Sequence, residues 1–129
     1  MPARFSIINL EEVENTAGQR VPGVEGRFAR KHLDSEHLGV SYFRYPPSFR
    51  TPFGHRHREQ EEAYVVVGGS GRIKLDDQIV ELRRWDVVRV APDVVRGFES
   101  GPEGLEMIIV GANRPEGGDG EMVEDWWTD

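Results

Sequence analysis

The stretch PFGHRHREQEEAYVVVGG, residues 52–69, decides the fold of this 129-residue chain. It holds His55 and His57, and Glu62 opens the apolar run that follows. Alternate residues of an extended strand point to the same side, so both imidazoles are predicted to share one face. The run after Glu62 is rich in Tyr and Val and predicts a buried strand. With Glu62 and Tyr64 facing inward, two imidazoles and a carboxylate on one wall would suit a divalent metal ion.

This stretch resembles the first motif of the cupins, which combines a glycine, His-x-His, a glutamate and a later glycine. The matching residues here are His55, His57, Glu62 and Gly69. In cupins the histidines and the glutamate bind a metal ion inside a small barrel. The resemblance therefore implies that His55, His57 and Glu62 are metal ligands, with iron, manganese, zinc and nickel as candidate ions.

Residues 85–98 resemble the second cupin motif, which has Gly-Asp, an apolar strand, a Pro-Pro-Gly turn and a further histidine. The chain departs from that motif at three positions: Trp85 and Asp93 replace glycines, and Arg96 replaces the histidine. Arginine stays protonated and cannot ligate a metal ion. The resemblance spans roughly residues 38–111, and it implies a metal site weaker than one with the full set of ligands.

Short apolar runs separated by Gly, Pro and Asp turns predict an all-β sandwich or barrel without reference to any family. The cupin resemblance selects the jelly-roll type, as a single domain with a short helical or irregular N-terminal segment. The Gly68–Gly71 and Gly101–Gly104 runs are interpreted as turns between strands, and Asp76-Asp77 as a hairpin turn. The predicted strands are residues 27–33, 38–45, 62–67, 72–75, 78–82, 87–90, 95–98 and 105–110.

The chain is divided into an N-terminal arm with the first strand (1–37), the barrel core (38–111) and a tail (112–129). In the arm, Asn9 is predicted to cap a short helix. The tail is rich in Gly and acidic residues until Trp126 and Trp127. Two adjacent tryptophans on a polar tail are expected to dock against the barrel or against another subunit.

Composition excludes several classes of protein. The formal net charge of −7 disfavours nucleic acid, whose phosphates need a basic surface. No apolar run approaches the roughly 20 residues that span a bilayer, so no membrane partner is expected. The chain has no cysteine, which leaves no disulfide framework and makes the cytoplasm the default location.

Ligand-binding roles are open for four residues of the barrel interior, each with an alternative. Arg96 shares its parity with Phe98, so it would enter the barrel and hold either an anionic ligand or the carboxylate of Glu62; alternatively, it lies on the surface. Tyr64, Phe98 and Met107 would line a pocket, unless they pack in the core.

Three functions fit these residues. The first is a module that binds a small anionic molecule, with a weak divalent-metal site. The second is a metal-dependent enzyme of the dioxygenase or isomerase type, which uses a two-histidine, one-carboxylate centre. The third is a non-catalytic scaffold for assembly, and fold alone does not choose among them. A homodimer is expected, because the outward residues Ala63, Val65 and Val67 are apolar enough to need cover.

Overall fold

A computed structural model describes residues 4–129, so the first three residues of the predicted N-terminal arm lie outside it. The described chain is built almost entirely of β-strands, which confirms the all-β prediction. Two 3₁₀ helices, Leu10–Glu12 and Ala17–Gln19, and one helical turn, α1 (Arg30–Leu33), precede the main strands. The strands are β1 (Glu25–Phe28), β2 (Gly39–Tyr45), β3 (Gly54–His57), β4 (Glu62–Leu75), β5 (Gln78–Leu82), β6 (Val87–Val90), β7 (Arg96–Gly111) and β8 (Gly120–Val123).

All eight strands belong to one antiparallel sheet that curls around a core. Its spine is the ladder between the two longest strands, β4 and β7, which pair from Glu62↔Gly111 to Leu75↔Arg96. Strand β2 flanks the second half of β7, while β5 and β6 flank β4. Strand β3 pairs β7 at a single position, His55↔Arg96, and β8 on its other side. The first-motif histidines therefore lie beside the second-motif arginine.

Two of the predicted turns are wrong, because Gly68–Gly71 and Gly101–Gly104 lie inside β4 and β7 rather than between strands. The register shifts between Val66 and Gly68, where one extra residue of β4 forms a β-bulge. It shifts again between Gly69 and Gly71, where the β7 partner changes from Leu105 to Ser100 and residues 101–104 have no partner on β4. Gly69 and Gly104 both have positive φ, and a Cβ at position 69 would overlap the Gly104 carbonyl. The glycines are needed for bending and close approach. The Asp76-Asp77 hairpin turn is confirmed.

The N-terminal segment also differs from expectation. The predicted strand over 27–33 is instead β1 followed by α1, because the Arg30–Leu33 run lacks the β-branched residues that favour extension. Asn9 caps the first 3₁₀ helix as predicted, its side chain accepting a hydrogen bond from the Glu11 amide at 2.9 Å. None of the helices in residues 4–129 is long and apolar enough to cross a bilayer.

The core lies between the faces of the curled sheet. The alternation predicted for β4 holds: Tyr64 and Val66 are buried, whereas Ala63, Val65 and Val67 are only partly covered. The buried cluster comprises Val24, Tyr45, Tyr64, Val66, Ile73, Leu82, Val90, Phe98, Leu105 and Met107. Trp85, by contrast, is 64% exposed, and its φ of 75° explains why a glycine suits that position.

Candidate metal centre

The three predicted metal ligands meet at one end of the barrel. His55 and His57 come from β3, and Glu62 is the first residue of β4. One ligand atom from each lies within 4.8 Å of the other two. Glu62 Oε1 is 3.2 Å from His57 Nε2 and 3.8 Å from His55 Nε2. The period-2 spacing of the histidines brings both rings to the same carboxylate, as the sequence predicted.

His57 is held by a carboxylate on its far side. Its Nδ1 lies 2.9 Å from Asp119 Oδ1, which fixes Nδ1 as the donor and turns Nε2 towards Glu62. Buried Nε2 has no hydrogen-bond partner among residues 4–129. The nearby Glu62 carboxylate raises the pKa of the His57 imidazole above its usual value; burial acts against this increase, and Asp119 adds to it. Such a carboxylate–histidine pair is typical of a metal-ligating imidazole.

Glu62 is a buried but ionised carboxylate. Its side chain is 13% exposed, and Tyr64 donates its hydroxyl proton to Oε1 at 2.6 Å. Burial would raise the pKa of Glu62, but neighbouring His55, His57 and Tyr64 outweigh it and hold the pKa below its usual value. The carboxylate is thus available as a metal ligand.

Arg96 lies inside the barrel, so the surface alternative does not describe this structure. The residue is fully buried, with 0% exposure. Its Nη1 donates to the carbonyls of Pro92 and Val94 at 3.3 and 3.0 Å. Its Nη2 lies 3.8 Å from Glu62 Oε1, and Nη2 and Nε lack hydrogen-bond partners within the described chain. Arg96 therefore sits behind Glu62 as a fixed positive charge.

Each histidine lies close enough to Glu62 for the two residues to share a divalent ion. Metal–ligand bonds of about 2.0–2.2 Å place two donors on one ion no more than about 4.4 Å apart. The two nitrogen-to-carboxylate distances, 3.2 and 3.8 Å, fall within that limit. The unpartnered Nε2 of His57 supplies an orphaned buried donor that an ion would satisfy. Arg96 opposes this fit by its charge, without blocking the donors.

An open cavity of about 1120 Å³ leads to the three residues. Tyr64 and Phe98 border it, but they are only 2% and 3% exposed and belong to the buried core cluster, where their rings pack at a centroid distance of 4.9 Å. Met107 does not line it: the residue is completely buried in the core, where β7 pairs it with Val66. Arg96 does not line it either: the residue is fully buried, and its Nη2 lies 3.8 Å from the carboxylate of Glu62, which does line the cavity.

Asp119 is the site residue that the sequence did not reveal. It lies in the Gly-rich tail, 62 positions after His57, immediately before a four-residue strand, β8, that was not predicted. Its other carboxylate oxygen accepts hydrogen bonds from the amides of Glu59 and Gln60, at 2.7 and 2.9 Å. No local pattern within GGDG predicts that its aspartate is buried. Asp119 becomes buried only because β8 pairs with β3.

Comparison with known proteins relates the chain to solved structures alone. No family model and no curated protein matches it. A cupin protein from Bacteroides fragilis is 20% identical with a TM-score of 0.70, over 98% of each chain. The nucleoside dehydratase Pac13 from Streptomyces is 18% identical with a TM-score of 0.75, over 92% of this chain and 91% of that one. A cupin-superfamily sugar phosphate isomerase from Silicibacter pomeroyi is 16% identical with a TM-score of 0.71, over 85% and 77%.

These likenesses define the architecture. The chain has the cupin fold, a jelly-roll β-barrel, which confirms the resemblance carried by residues 52–69. At such low identities the likeness extends to the fold and not to any activity. The function has to come from the site's own residues.

Proposed function

We propose that this cupin barrel binds a small anionic molecule beside a divalent metal ion held by His55, His57 and Glu62. The observation that carries the proposal is the charge of the cavity wall. Beside the two histidines of the site, its charged lining comprises four arginines against two carboxylates, Glu62 and Asp119, although the whole chain carries a net charge of −7. The arginines are Arg20, Arg30, Arg58 and Arg114.

This reversal of sign supports an anionic ligand. Field lines concentrate in a cleft of one sign, and arginine offers a planar fork that matches carboxylate and phosphate groups. Arg58 and Arg114 are exposed, so both can reach a ligand in the opening. Arg30 is partly engaged already, donating to the carbonyl of Ala112 at 2.8 Å.

When bound, the metal ion would supply a Lewis acid that polarises an oxygen atom of the ligand. His57 and Glu62 would hold it from inside the barrel, and His55, which is one-third exposed, from the cavity side. Arg96 lowers the affinity for any cation, because its charge is fixed and buried. The bound molecule would be positioned by the arginine side chains at the mouth.

The test is a binding panel on protein purified without an affinity tag. Organic phosphates and carboxylates, each paired with its neutral analogue, are assayed by calorimetry with and without added Mn²⁺. We expect the anions to bind more tightly than the neutral analogues, and Arg58→Ala and Arg114→Ala to reduce that preference. Equal binding of the members of each pair, or an undiminished preference in both variants, would overturn the proposal.

The second candidate function is a metal-dependent enzyme, favoured by the contact between His57 and Asp119. An imidazole whose Nδ1 is held by a buried carboxylate can use Nε2 as a general acid or base only where Nε2 does not ligate the ion, so in this alternative His55 and Glu62 hold the ion and His57 is the acid–base group. If the barrel is an enzyme, ligands found in the panel are converted to products. His57→Gln would then abolish turnover while anion binding survives through the arginines. If the ligands are recovered unchanged after prolonged incubation with metal-loaded protein, the enzyme hypothesis is wrong and only the binding function remains.

A further inference from the structure

Residues 119–129, here called the strap, run along the strand that carries both histidines. The strap begins with Asp119 and continues as β8, which pairs antiparallel to β3 in the register His55↔Met122 and His57↔Gly120. On its other side β3 pairs β7 at only one position. Most of the backbone pairing that fixes β3 therefore comes from the strap.

The first contact of the strap is with the site itself. Asp119 is 3% exposed, and one oxygen lies 2.9 Å from His57 Nδ1. Its other oxygen accepts from two backbone amides in the loop between β3 and β4. Asp119 therefore joins His57 to the loop that leads to Glu62.

The far end of the strap is fastened to the barrel by two tryptophans. Lys74 donates to the carbonyl of Trp126 at 2.6 Å, and its ammonium lies 4.2 Å from the centre of that ring. Trp127 donates its indole proton to the carbonyl of Thr51 at 2.7 Å. The guanidinium of Arg50 lies 4.3 Å from the centre of the Trp127 ring.

The last residue adds an ionic contact to this fastening. Asp129 lies 3.1 Å from Arg50 Nη2 and 3.3 Å from Arg72 Nη2. Both arginines also contact Glu99 on β7, so the end of the chain joins a network of charges on the barrel wall.

Two glycines of the barrel keep space for the strap. A Cβ at Gly54 would lie 2.8 Å from Trp126 Cγ, and a Cβ at Gly97 would lie 3.0 Å from Trp126 Cδ1. Both glycines neighbour a site residue, since Gly54 precedes His55 and Gly97 follows Arg96. The ring of Trp126 is thus seated directly behind the strands that carry the site.

We infer that the strap is the positioning element of the metal site: Asp119 holds His57 ready to ligate, and the fastened tryptophans hold Asp119 in place. The inference rests on the proposed metal site. Because coupling between two sites is reciprocal, loosening the strap weakens ion binding, and ion binding tightens the strap. Trp126 acts on the ion without touching it.

The first measurement uses Co²⁺ as the probe, titrated into the full chain and followed by its absorbance. Loss of a carboxylate that orients a ligating histidine typically lowers metal affinity by about 10- to 100-fold. We expect that loss for Asp119→Ala and a smaller loss for Asp119→Asn, whose single amide oxygen can still accept from Nδ1 but then leaves the Glu59 and Gln60 amides without their acceptor. Trp126→Ala should weaken binding in the same direction. The matched control is Asp125→Asn, because Asp125 is exposed and forms no ion pair within residues 4–129.

The second measurement needs no metal and reports the imidazole directly. In metal-free protein, the ¹⁵N resonances of His57 show which ring nitrogen carries the proton. Asp119→Ala and Trp126→Ala should shift these resonances, and Asp125→Asn should leave them at the parent's positions. If Asp119→Ala does not fold, Asp119→Asn, which conserves the shape of the side chain, replaces it in the comparison of the His57 resonances.

The two measurements separate the two proposals. If the parent binds no Co²⁺ while the His57 resonances respond to the strap variants, the proposed metal site fails and the positioning role stands. The strap inference is overturned if Trp126→Ala and Asp119→Asn match Asp125→Asn both in the His57 resonances and in Co²⁺ affinity.

Discussion

Replacing Arg96 should move protein stability and metal affinity in opposite directions. Its Nη2 lies 3.8 Å from Glu62 Oε1, and the attraction at that distance is about 4 kcal/mol at an effective dielectric constant of about 20. Removing one partner of a buried pair typically costs about 3 to 5 kcal/mol, because the other charge stays buried. We therefore expect Arg96→Ala to lower Tm by about 10 to 20 °C in a chain of this size.

The metal-binding side of the prediction uses Arg96→Met and Arg96→His. Arg96→Met keeps most of the side-chain volume and removes the fixed charge, and Arg96→His also supplies the imidazole of the second cupin motif. Both should bind Mn²⁺ or Zn²⁺ at least about tenfold more tightly than the parent, which corresponds to about 1.4 kcal/mol. Calorimetric titration of the metal into each protein measures this change.

The control is Arg89→Met, which breaks the ion pair of Arg89 with Glu61 at 2.7 Å on the surface of the same barrel. The Arg89 side chain is 68% exposed, so the pair should contribute no more than about 1 kcal/mol. If Arg96→Met has the same melting temperature as Arg89→Met and binds metal no more tightly than the parent, then the buried charge does not act on Glu62, and the reasoning is refuted.

Three further outcomes are expected. Gly69→Ala should destabilise the fold by about 3 kcal/mol, because position 69 has a positive φ and a Cβ there would overlap Gly104. Gly117→Ala, which also has a positive φ but open space around it, should cost only about 1 kcal/mol, and denaturant unfolding measures both free energies. Trp85→Gly should be more stable than Trp85→Ala by about 0.5 to 1 kcal/mol, since only glycine relaxes a φ of 75°, and equal melting temperatures would contradict this. Light scattering should give twice the 14.6 kDa of the chain, because apolar side chains on β5 and β6 are exposed; a monomer at micromolar concentration would rule out the dimer.

Local periodicity was enough to predict the inner wall of the barrel. The spacing of His55 and His57 and the alternation after Glu62 are properties of single strands, so they could be read without knowing the partners. The same reasoning failed at Gly68–Gly71, because a glycine cluster marks a turn and a β-bulge equally well. Only the pairing of β4 with β7, which resumes after each register shift, shows that the strand continues through these glycines.

Asp119 shows a different limit of sequence reasoning. Its value to the site depends on β8 pairing with β3 across more than 60 residues, and the four residues of β8, Gly-Glu-Met-Val, have little apolar periodicity of their own. Strands at the edge of a sheet gain their stability from the neighbouring strand rather than from propensity. A tail interpreted as a docking segment thus turned out to complete the site.

Arg96 shows how parity can place a side chain correctly and still leave its role open. Its shared parity with Phe98 predicted an inward position, and the residue is fully buried. Parity does not show whether an inward side chain reaches the cavity, and here Glu62 lines the cavity whereas Arg96 does not. Of the two partners expected for Arg96, an anionic ligand and Glu62, the geometry favours Glu62.

It follows that separate residues control the two binding events proposed for this barrel. Arg96 acts from behind Glu62 and should set the strength of metal binding, whereas Arg58 and Arg114 at the mouth should set the preference for anions. In metal-free protein, substitutions of Arg58 or Arg114 at the mouth should therefore change ligand affinity. Arg96→Met should not, because it leaves the mouth intact. The anion-binding role proposed for this barrel therefore does not require a histidine at position 96, because it depends on other residues of the cavity.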